Sequence, residues 1–357
     1  MSSLESASWA IRTATAVTRV EHVRAVRLVG PGAEDTVEAL TTSRLFLREG
    51  QMLHTLVLEQ SGYILADAFL CLDEEAWILL WEGPSVEELL VHLDAVRSDV
   101  KAAEVSVVDL LASHVLWSLD GPYAWELCSA LLGPEVLGAP YLSFLQLESV
   151  TCFRAGKTGE YGYLLLVPRE RLEGTWARLR ELGEALGLME ASLPVLDQCA
   201  LENWFFTLRA LESSSRGRTL TPAELQLRWR VDPAKEFVGA RALREHVARG
   251  IAERVTCFVS QRAILPEQEI HLDGVEVGSV LQAGWSPVRG DWVGWGLLDV
   301  ELAWPGIGQF HVCTADGSVP IETRSAPLLH NRSLFVDPRR HRYATRTEED
   351  FPPLVSR

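Results

Sequence analysis

The spacing of the apolar runs changes near Gly250. No other feature of the sequence restricts the possible folds as strongly. Before it, strand-like runs alternate with amphipathic helix-like segments across turns rich in glycine and proline. After it, short strand-like runs follow one another with only Gly, Pro or Asp turns between them. The first pattern is typical of an α+β body with helices packed on antiparallel sheets. The second is typical of a small β-barrel or sandwich.

The segment before Gly250 carries local signals for both strands and helices. Ser61-Gly62 separates two strand-like runs, which predicts a hairpin. Ser85, with Glu88 one turn later, has the pattern of a capping box at a helix start. The predicted strands are 25–29, 52–58, 64–72, 76–81, 115–119 and 164–167, and the predicted helices are 33–42, 86–96, 123–132 and 170–182.

The segment after Gly250 divides into a barrel and a tail. Strands are predicted at 255–259, 269–272, 275–281, 292–299 and 310–313. The chain end is charged and contains proline, so it is expected to be poorly ordered. We therefore predict a body over residues 1–250, a C-terminal β-barrel domain over 251–340 and a tail over 341–357.

Charge and cysteine usage disfavour several classes of function. The 357 residues are 47% hydrophobic and carry a net charge of −16. This charge disfavours binding to nucleic acid or to an anionic membrane surface, and no apolar run approaches the ~20 residues of a membrane helix. The six cysteines form no C-x-x-C pair and the histidines no H-E-x-x-H motif, so no metal is expected. The cysteine usage is typical of a cytoplasmic protein.

The stretch AGKTGEYGYLLLVP contains Gly156-Lys157-Thr158, which shares its letters with the end of a phosphate-binding loop. That loop opens with a glycine where this chain has Thr151, and it leads into a helix. Here the apolar residues 164–167 predict a strand instead, so a nucleotide pocket is disfavoured. The stretch is predicted to be a tight turn before a strand, in which Gly159 supplies turn geometry and Glu160 caps or pairs locally.

A series of short motifs between about residue 40 and residue 290 resembles, in register, the glycine-cleavage T-protein (aminomethyltransferase) family. The resemblance implies a multi-domain disk with a central channel that tetrahydrofolate enters. It also implies that tetrahydrofolate, or a one-carbon derivative of it, is the cofactor. The motifs are Leu40-Thr41-Thr42, Gly50-Gln51, Gly62 with Ile64-Leu65 and Asp67, Gly121-Pro122, Thr158-Gly159-Glu160 with Gly162-Tyr163, Leu201-Glu202, Thr221-Pro222 with Glu224, Leu227 and Trp229, Phe237-Val238-Gly239 with Ala242-Leu243, and Gly278 with Ser286-Pro287.

The resemblance implies two catalytic candidates on the predicted hairpin. The family has two Asp positions there, of which this chain keeps Asp67 while the other is Ala66. Adjacent strand residues face opposite sides of a sheet, so the fold decides whether the retained carboxylate lies at the site; an exposed strand position is the alternative. His54 stands where the family has a tyrosine, and it is either a general acid or base near neutral pH or an ordinary strand residue.

The resemblance also implies four cofactor-binding residues. Glu202 matches the family glutamate that grips the pterin ring, a role that suits a carboxylate because it accepts two parallel hydrogen bonds. Its apolar neighbours favour ligand binding over a surface position. Tyr163 closes the T-G-E-x-G-Y motif, Arg254 could meet the folate glutamate tail, and Trp285 could line the channel. Surface pairing explains Arg254 as well, and core packing explains Trp285 equally well.

Departures from the family lie where ligand and substrate are expected. Ala200 replaces an arginine, and Asn203-Trp204 replace two small residues. We therefore expect a tetrahydrofolate-dependent one-carbon transferase, moving methyl or methylene groups, whose small or carrier-bound substrate differs from the glycine-cleavage intermediate. Genuine glycine-cleavage aminomethyl transfer and a non-catalytic or repurposed folate-binding role are the alternatives.

A lipoyl carrier protein is not expected as a partner. Such carriers are acidic in this family, and a chain with a net charge of −16 would repel them unless a basic patch offset that charge. The residues that could form such a patch are few: Arg216, Arg218, Arg228 and Arg230.

Overall fold

The computed structural model describes residues 3–74, 76–100, 103–212, 214 and 219–355. In these ranges the chain forms a mixed helix-and-sheet body followed by a closed barrel, which confirms the predicted fold class. In chain order, the body consists of α1 (Ser3–Thr13), β1 (Thr15–Arg19), β2 (Val23–Val29), α2 (Ala33–Leu40), β3 (Met52–Leu58), β4 (Ile64–Asp73), β5 (Ala76–Glu82), α3 (Val86–Val100), β6 (Ser106–Asp109), β7 (His114–Asp120), α4 (Ala124–Leu132), β8 (Phe144–Leu147), β9 (Val150–Phe153), β10 (Gly162–Pro168), α5 (Leu172–Glu184), β11 (Leu188–Ala191), α6 (Leu193–Glu202), α7 (Leu208–Glu212) and α8 (Ala240–Arg249).

Two sheets stack face to face in the body, and helices cover both outer faces. One sheet has the strand order β3-β4-β5-β2-β6, and the other has the order β11-β1-β7-β10-β9-β8. Apolar side chains from both sheets meet between them, among them Phe69, Leu80 and Leu164. Helices α2 and α3 pack on the outside of the first sheet, and α4 and α5 pack on the outside of the second. This arrangement works because alternate residues of a strand enter opposite cores.

The local predictions of the hairpin and the capping box are confirmed. Strands β3 and β4 pair antiparallel, which places Leu56 opposite Asp67. At the start of α3, the backbone N–H of Glu88 donates to Ser85 Oγ at 3.2 Å, and the backbone N–H of Ser85 donates to Glu88 Oε2 at 2.8 Å. None of the described helices combines the length and the apolar composition that crossing a membrane requires.

The C-terminal barrel begins directly after α8. Its six strands are hydrogen-bonded in the closed order β12-β15-β14-β13-β16-β17, and their inner faces form a core that includes Phe258, Ile270 and Val312. Gly294 of this barrel makes room for an aromatic ring, since a Cβ there would lie 2.2 Å from Phe258. The strands are β12 (Glu253–Ser260), β13 (Glu269–Leu272), β14 (Val275–Ser286), β15 (Asp291–Asp299), β16 (Phe310–Thr314) and β17 (Gly317–Arg324).

The C-terminal segment packs against the body, so the expectation of a poorly ordered tail is wrong for residues 341–355. Phe351 and Leu354 are each only 8% exposed. The ring of Tyr343 meets that of Tyr123 edge to face, with 5.5 Å between their centroids. The prediction relied on the charged composition of the segment. Three apolar side chains, those of Tyr343, Phe351 and Leu354, are enough to hold this polar segment on the surface of the body.

Candidate active site

Asp67 lies on the face of β4 that looks into the space between the two sheets. It shares this face with Phe69 and Cys71, which belong to the core between the sheets. The neighbouring Ala66 points the other way, into the core beneath α2 and α3. A carboxylate at position 66 would be buried among apolar side chains, a costly placement without a partner. The acidic residue that this chain retains is therefore the one directed between the sheets.

Three nitrogen donors surround the Asp67 carboxylate, whose side chain is 1% exposed. His54 Nε2 and Arg230 Nη1 lie 2.8 Å and 2.7 Å from Oδ1, and Lys157 Nζ lies 2.5 Å from Oδ2. Burial alone would raise the pKa of Asp67, but the charges and hydrogen bonds of these partners outweigh it and hold the pKa well below its usual range. Asp67 is therefore an ionised carboxylate at neutral pH.

Lys157 connects Asp67 to a second carboxylate, Glu82 at the end of β5. Its amine lies 3.1 Å from Glu82 Oε2, and the other oxygen of Glu82 is 2.8 Å from Arg209 Nη1. Burial opposes the charge of Lys157, yet the two carboxylates raise its pKa, so it stays protonated. We refer to Asp67, His54, Lys157, Arg230 and Glu82 as the Asp67 cluster.

His54 is neutral in this environment. Burial, together with the nearby Arg230, lowers its pKa to about 4 in spite of the attraction of Asp67. Because an ionised carboxylate only accepts hydrogen bonds, Nε2 carries the proton that His54 donates to Asp67. The imidazole stacks on Phe69, with 4.4 Å between the ring centroids. His54 thus orients and stabilises the carboxylate through one N–H group.

An exposed aromatic side chain lies beside the Asp67 cluster. Trp229 is 70% exposed. Its ring meets His54 edge to face at 6.5 Å, and the guanidinium of Arg230 lies 4.8 Å from its centroid. An indole with a free face next to buried charges is a surface on which a planar ring can stack.

Glu202 lies at the end of α6 in a different assembly. Its Oε2 is 2.6 Å from Arg12 Nη2, while Oε1 accepts from Ser286 Oγ at 2.6 Å and from Gln198 Nε2 at 3.3 Å. These donors come from α1, from the barrel strand β14 and from α6 itself. Both oxygens of the carboxylate are therefore occupied by the protein, and Glu202 joins three parts of the chain.

Two asparagines extend this assembly. Asn203 Nδ2 donates to the backbone oxygen of Thr158 at 2.9 Å, and Asn331 Nδ2 donates to Asn203 Oδ1 at 2.6 Å. The Asn that replaces a small family residue therefore serves a buried polar network. We refer to Glu202, Arg12, Ser286, Asn203 and Asn331 as the Glu202 junction.

The turn between β9 and β10 connects the Asp67 cluster with the Glu202 junction. Lys157 reaches Asp67, while the backbone oxygen of Thr158 accepts from Arg12 Nη1 at 2.5 Å. Gly159 has φ +82°, and a Cβ on it would lie 2.5 Å from Asn203 Oδ1, which confirms that a glycine is needed for this turn. The expectation that Glu160 pairs locally is wrong, since its carboxylate accepts hydrogen bonds from the distant residues 332 and 333.

The other three predicted cofactor residues lie outside the Asp67 cluster. Tyr163 is 2% exposed and packs with Trp117 on the α4–α5 side of its sheet, whereas its neighbour Leu164 points between the sheets. Arg254 lies on the barrel, where its guanidinium covers Trp304 at 4.5 Å. Trp285 is 42% exposed and meets a neighbouring barrel tryptophan edge to face. Their predicted contacts with folate stay predictions.

Sequence reasoning found Asp67 and His54 but missed most of the charged residues around them. From the sequence, Lys157 is predicted only as part of the Gly156-Lys157-Thr158 turn, and its side chain is assigned no role. Arg230 was considered only as part of a basic patch, yet its side chain is 2% exposed and binds Asp67. Strand β5 is a continuous apolar run that ends at Glu82, and this run offers no signal that its last side chain carries a buried charge.

Comparison with known proteins agrees with the fold and with the motifs. The GCVT N-terminal domain matches residues 2–235. An aminomethyltransferase of Halothermothrix orenii is 26% identical over 306 residues, covering 83% of this chain and 84% of the relative. An aminomethyltransferase of Frankia alni is 29% identical over 304 residues, covering 82% and 80% of the two chains.

A solved structure shares the whole architecture. The glycine cleavage system aminomethyltransferase T of Bartonella henselae superposes with a TM-score of 0.80 at 19% identity, covering 92% of this chain and 90% of that one. The arrangement of a two-sheet body followed by a barrel therefore also occurs in that solved structure. With its GCVT N-terminal domain, the chain belongs to the glycine-cleavage T-protein family. This family uses tetrahydrofolate.

Proposed function

We propose that this protein is a tetrahydrofolate-dependent aminomethyltransferase. The names of its relatives support the reaction class. The observation that carries the proposal is the position of Asp67, an ionised carboxylate held between the sheets by three nitrogen donors. A fixed anion of this kind can stabilise positive charge that develops on an amine or take up a proton from it.

The residues around Asp67 suit a folate. Folates combine planar rings with an anionic glutamate tail. The exposed face of Trp229 offers a stacking surface for a ring. Lys157 and the nearby Arg209, with side chains 20% and 22% exposed and each paired with Glu82, are the cations that an anionic tail could reach. When bound, tetrahydrofolate supplies the ring amine that takes up the one-carbon unit.

Within this site, Lys157 is the partner of Asp67 that a ligand can displace. Its side chain is 20% exposed, whereas those of Arg230 and His54 are 2% and 5% exposed. A cationic or amine-bearing group that enters from solvent would replace Lys157 at Oδ2, and Lys157 would keep its second partner, Glu82. Arg230 and His54 would meanwhile hold Oδ1 and fix the orientation of the carboxylate.

We also propose that Glu202 binds the pterin ring, which requires a change in its present hydrogen bonds. Both of its oxygens already accept hydrogen bonds from the protein, so a pterin ring would have to replace one of the donors. Gln198, at 3.3 Å, makes the longest of these bonds and is the donor to be displaced.

The one-carbon donor is proposed to be the aminomethyl unit of glycine cleavage, in place of the different substrate expected from the sequence. Its methylene carbon would bond to tetrahydrofolate while its bonds to nitrogen and sulfur break, which releases ammonia and the thiol of the carrier. That expectation rested on departures near the site and on net charge. Asn203 serves the Glu202 junction, which accounts for one departure without a change of substrate. Arg230 is buried, Arg228 is exposed, and Arg216 and Arg218 lie outside the described residues, so the structure adds no basic patch that would answer the charge argument against a lipoyl carrier. We give more weight to the names of the relatives. We place the reaction in the cytoplasm on the basis of cysteine usage.

The test is a reconstituted reaction that contains the purified protein, glycine decarboxylase, a lipoylated carrier protein and tetrahydrofolate. We expect methylenetetrahydrofolate to form at a rate that depends on this protein. In parallel, calorimetric titration with tetrahydrofolate tests binding alone. Binding without product formation would restore the expectation of a different one-carbon substrate. Absence of binding would overturn the proposal.

A further inference from the structure

The outer surface of the barrel brings together four metal-ligating side chains that the proposed function does not use. Strands β13 and β16 pair with Ile270 opposite Val312 and His271 opposite His311. Ile270 and Val312 are fully buried in the barrel core. Because side chains alternate along a strand, Glu269 and His271 on β13, and His311 and Cys313 on β16, all point outward.

The ligand atoms of three of these residues are already close to one another. One carboxylate oxygen of Glu269, one ring nitrogen of His271 and Sγ of Cys313 all lie within 4.8 Å of each other. His271 Nε2 is 3.0 Å from Glu269 Oε2. Two ligands of a tetrahedral zinc ion stand about 3.5 Å apart, given bond lengths of about 2.0–2.3 Å. The side chains are accessible to solvent, so rotamer changes can close the remaining distance.

We propose that Glu269, His271 and Cys313, with His311 as the fourth ligand, form a binding site for a divalent transition-metal ion of the zinc class. A thiolate, two imidazoles and a carboxylate are the donors that zinc accepts in a tetrahedral site. His311 Nδ1 lies 3.0 Å from the backbone oxygen of Gln309, which leaves Nε2 for the metal. Glu276, an exposed residue, pairs with His271 across β13 and β14, so a further acidic residue lies on the neighbouring strand.

The position of the site suggests what a bound ion would do for the fold. Strands β13 and β16 share only two paired positions, whereas β12 and β15 share eight. An ion held by both strands would cross-link this short seam of the barrel. Metal that binds only the folded state raises its stability in proportion to the logarithm of free metal concentration.

This site was not predicted because the usual sequence rule looks for ligands in close pairs around a turn, as in C-x-x-C. In a sheet the relevant spacing is two residues on each of two neighbouring strands, here E-x-H and H-x-C. The expectation that the chain holds no metal therefore rested on a pattern suited to a different kind of site.

The test uses cobalt(II) as a spectroscopic probe on the full chain after treatment with a chelator. We expect stoichiometric Co²⁺ binding with a thiolate-to-cobalt charge-transfer band, displaced by Zn²⁺. Cys313→Ser should abolish the band, and His271→Ala should weaken Zn²⁺ binding at least about tenfold. Glu301→Gln, which removes an exposed carboxylate elsewhere on the barrel, is the matched control and should change neither.

A second measurement uses thiol chemistry. All six cysteines lie in the described part of the chain, and Cys313 is the exposed one. Zn²⁺ should therefore slow the reaction of Cys313 with a thiol reagent, and it should raise the melting temperature of the wild type but not of Cys313→Ser. Co²⁺ binding without the charge-transfer band, or equal Zn²⁺ affinity in Cys313→Ser and wild type, would overturn the proposal.

Discussion

The Asp67 cluster and the Glu202 junction each enclose a carboxylate that belongs to a motif of the family. They differ in the solvent exposure of the residues that pair with this carboxylate. In the Glu202 junction, the side chains of Arg12 and Glu202 are 0% and 2% exposed. In the Asp67 cluster, the carboxylate is equally enclosed, but Lys157, one of its partners, is 20% exposed. The Arg12–Glu202 ion pair is enclosed by protein, whereas the Asp67 cluster has an ionic partner at the border with solvent.

This difference separates a structural role from a chemical one. A sealed ion pair holds its partners in place, and breaking it leaves a buried charge uncompensated. A carboxylate with one displaceable partner can exchange that partner for a ligand without exposing a bare charge. The two regions therefore make different predictions. Substitutions in the Glu202 junction should act on stability, with the proposed loss of folate binding at Glu202 in addition, and substitutions in the Asp67 cluster should act mainly on turnover.

The largest effect on stability is expected for Glu202→Ala. This variant leaves the guanidinium of Arg12 buried without its main counter-charge, so the free energy of unfolding should fall by about 3–5 kcal/mol. Chemical denaturation monitored by circular dichroism measures the change. Glu190→Ala, at an exposed position of β11, is the control and should stay within about 0.5 kcal/mol of the wild type. A loss below about 1 kcal/mol for Glu202→Ala would show that the junction is not what holds α1, α6 and the barrel together.

The next effect in size is expected for Asp67→Asn, and it concerns turnover. The substitution preserves shape and removes the charge, so we expect kcat to fall about a hundredfold while the affinity for tetrahydrofolate changes little. Steady-state kinetics in the reconstituted reaction, together with calorimetric titration, separates the two quantities.

The matched control for this variant is Asp73→Asn. Asp73 lies on the same strand and is also buried, but it pairs with Arg27 at 3.0 Å and stands roughly 20 Å from Asp67 along the strand. We expect Asp73→Asn to turn over like the wild type. If both variants keep full activity, the reaction does not use the carboxylate of Asp67.

The fold was predictable where its signals were local. The β3–β4 hairpin and the helix start at Ser85 depend on residues only a few positions apart, and both occur as predicted. The short strands β8, β9 and β11 were missed. Strand β11 pairs with the distant β1, and β8 and β9 form a local hairpin whose four-residue runs are too short to show a strand pattern.

The candidate site was predictable only in part, for the same reason. Asp67 and His54 were identified only through the resemblance to the family. Arg230 is 163 residues from Asp67, and Arg12 is 190 residues from Glu202, so no local pattern linked either pair. The stacking of the two sheets and the docking of α1 bring these side chains together. Neither arrangement can be recognised from a local sequence pattern.

The pH dependence of stability offers a third test of the Asp67 cluster. The pKa of His54 is about 4 in the folded protein, against about 6.5 in an unfolded chain. Between these values the unfolded chain binds more protons, so stability falls as pH falls. From about pH 7.5 to about pH 5.5, His54 should account for a loss of about 1 kcal/mol.

The measurement compares the wild type with His54→Gln, which cannot be protonated. The denaturation free energy of the variant should fall less over the same pH interval. Asp120 acts in the opposite direction, because burial raises its pKa to about 6, but it is present in both proteins and cancels in the comparison. Equal slopes for the two proteins would mean that folding does not lower the pKa of His54.

The smallest effect is expected for Lys157→Gln, and it is the one that compares the two regions most directly. Like Glu202→Ala, it removes one member of a buried ion pair. Because the Lys157 side chain is 20% exposed, and because Arg230 and His54 remain at Asp67, the free energy of unfolding should fall by only about 1 kcal/mol or less. Lys157→Arg retains the charge and should recover part of this loss. A loss as large as that of Glu202→Ala would show that Lys157 is sealed into the core like Arg12, and a ligand could then not displace it from Asp67.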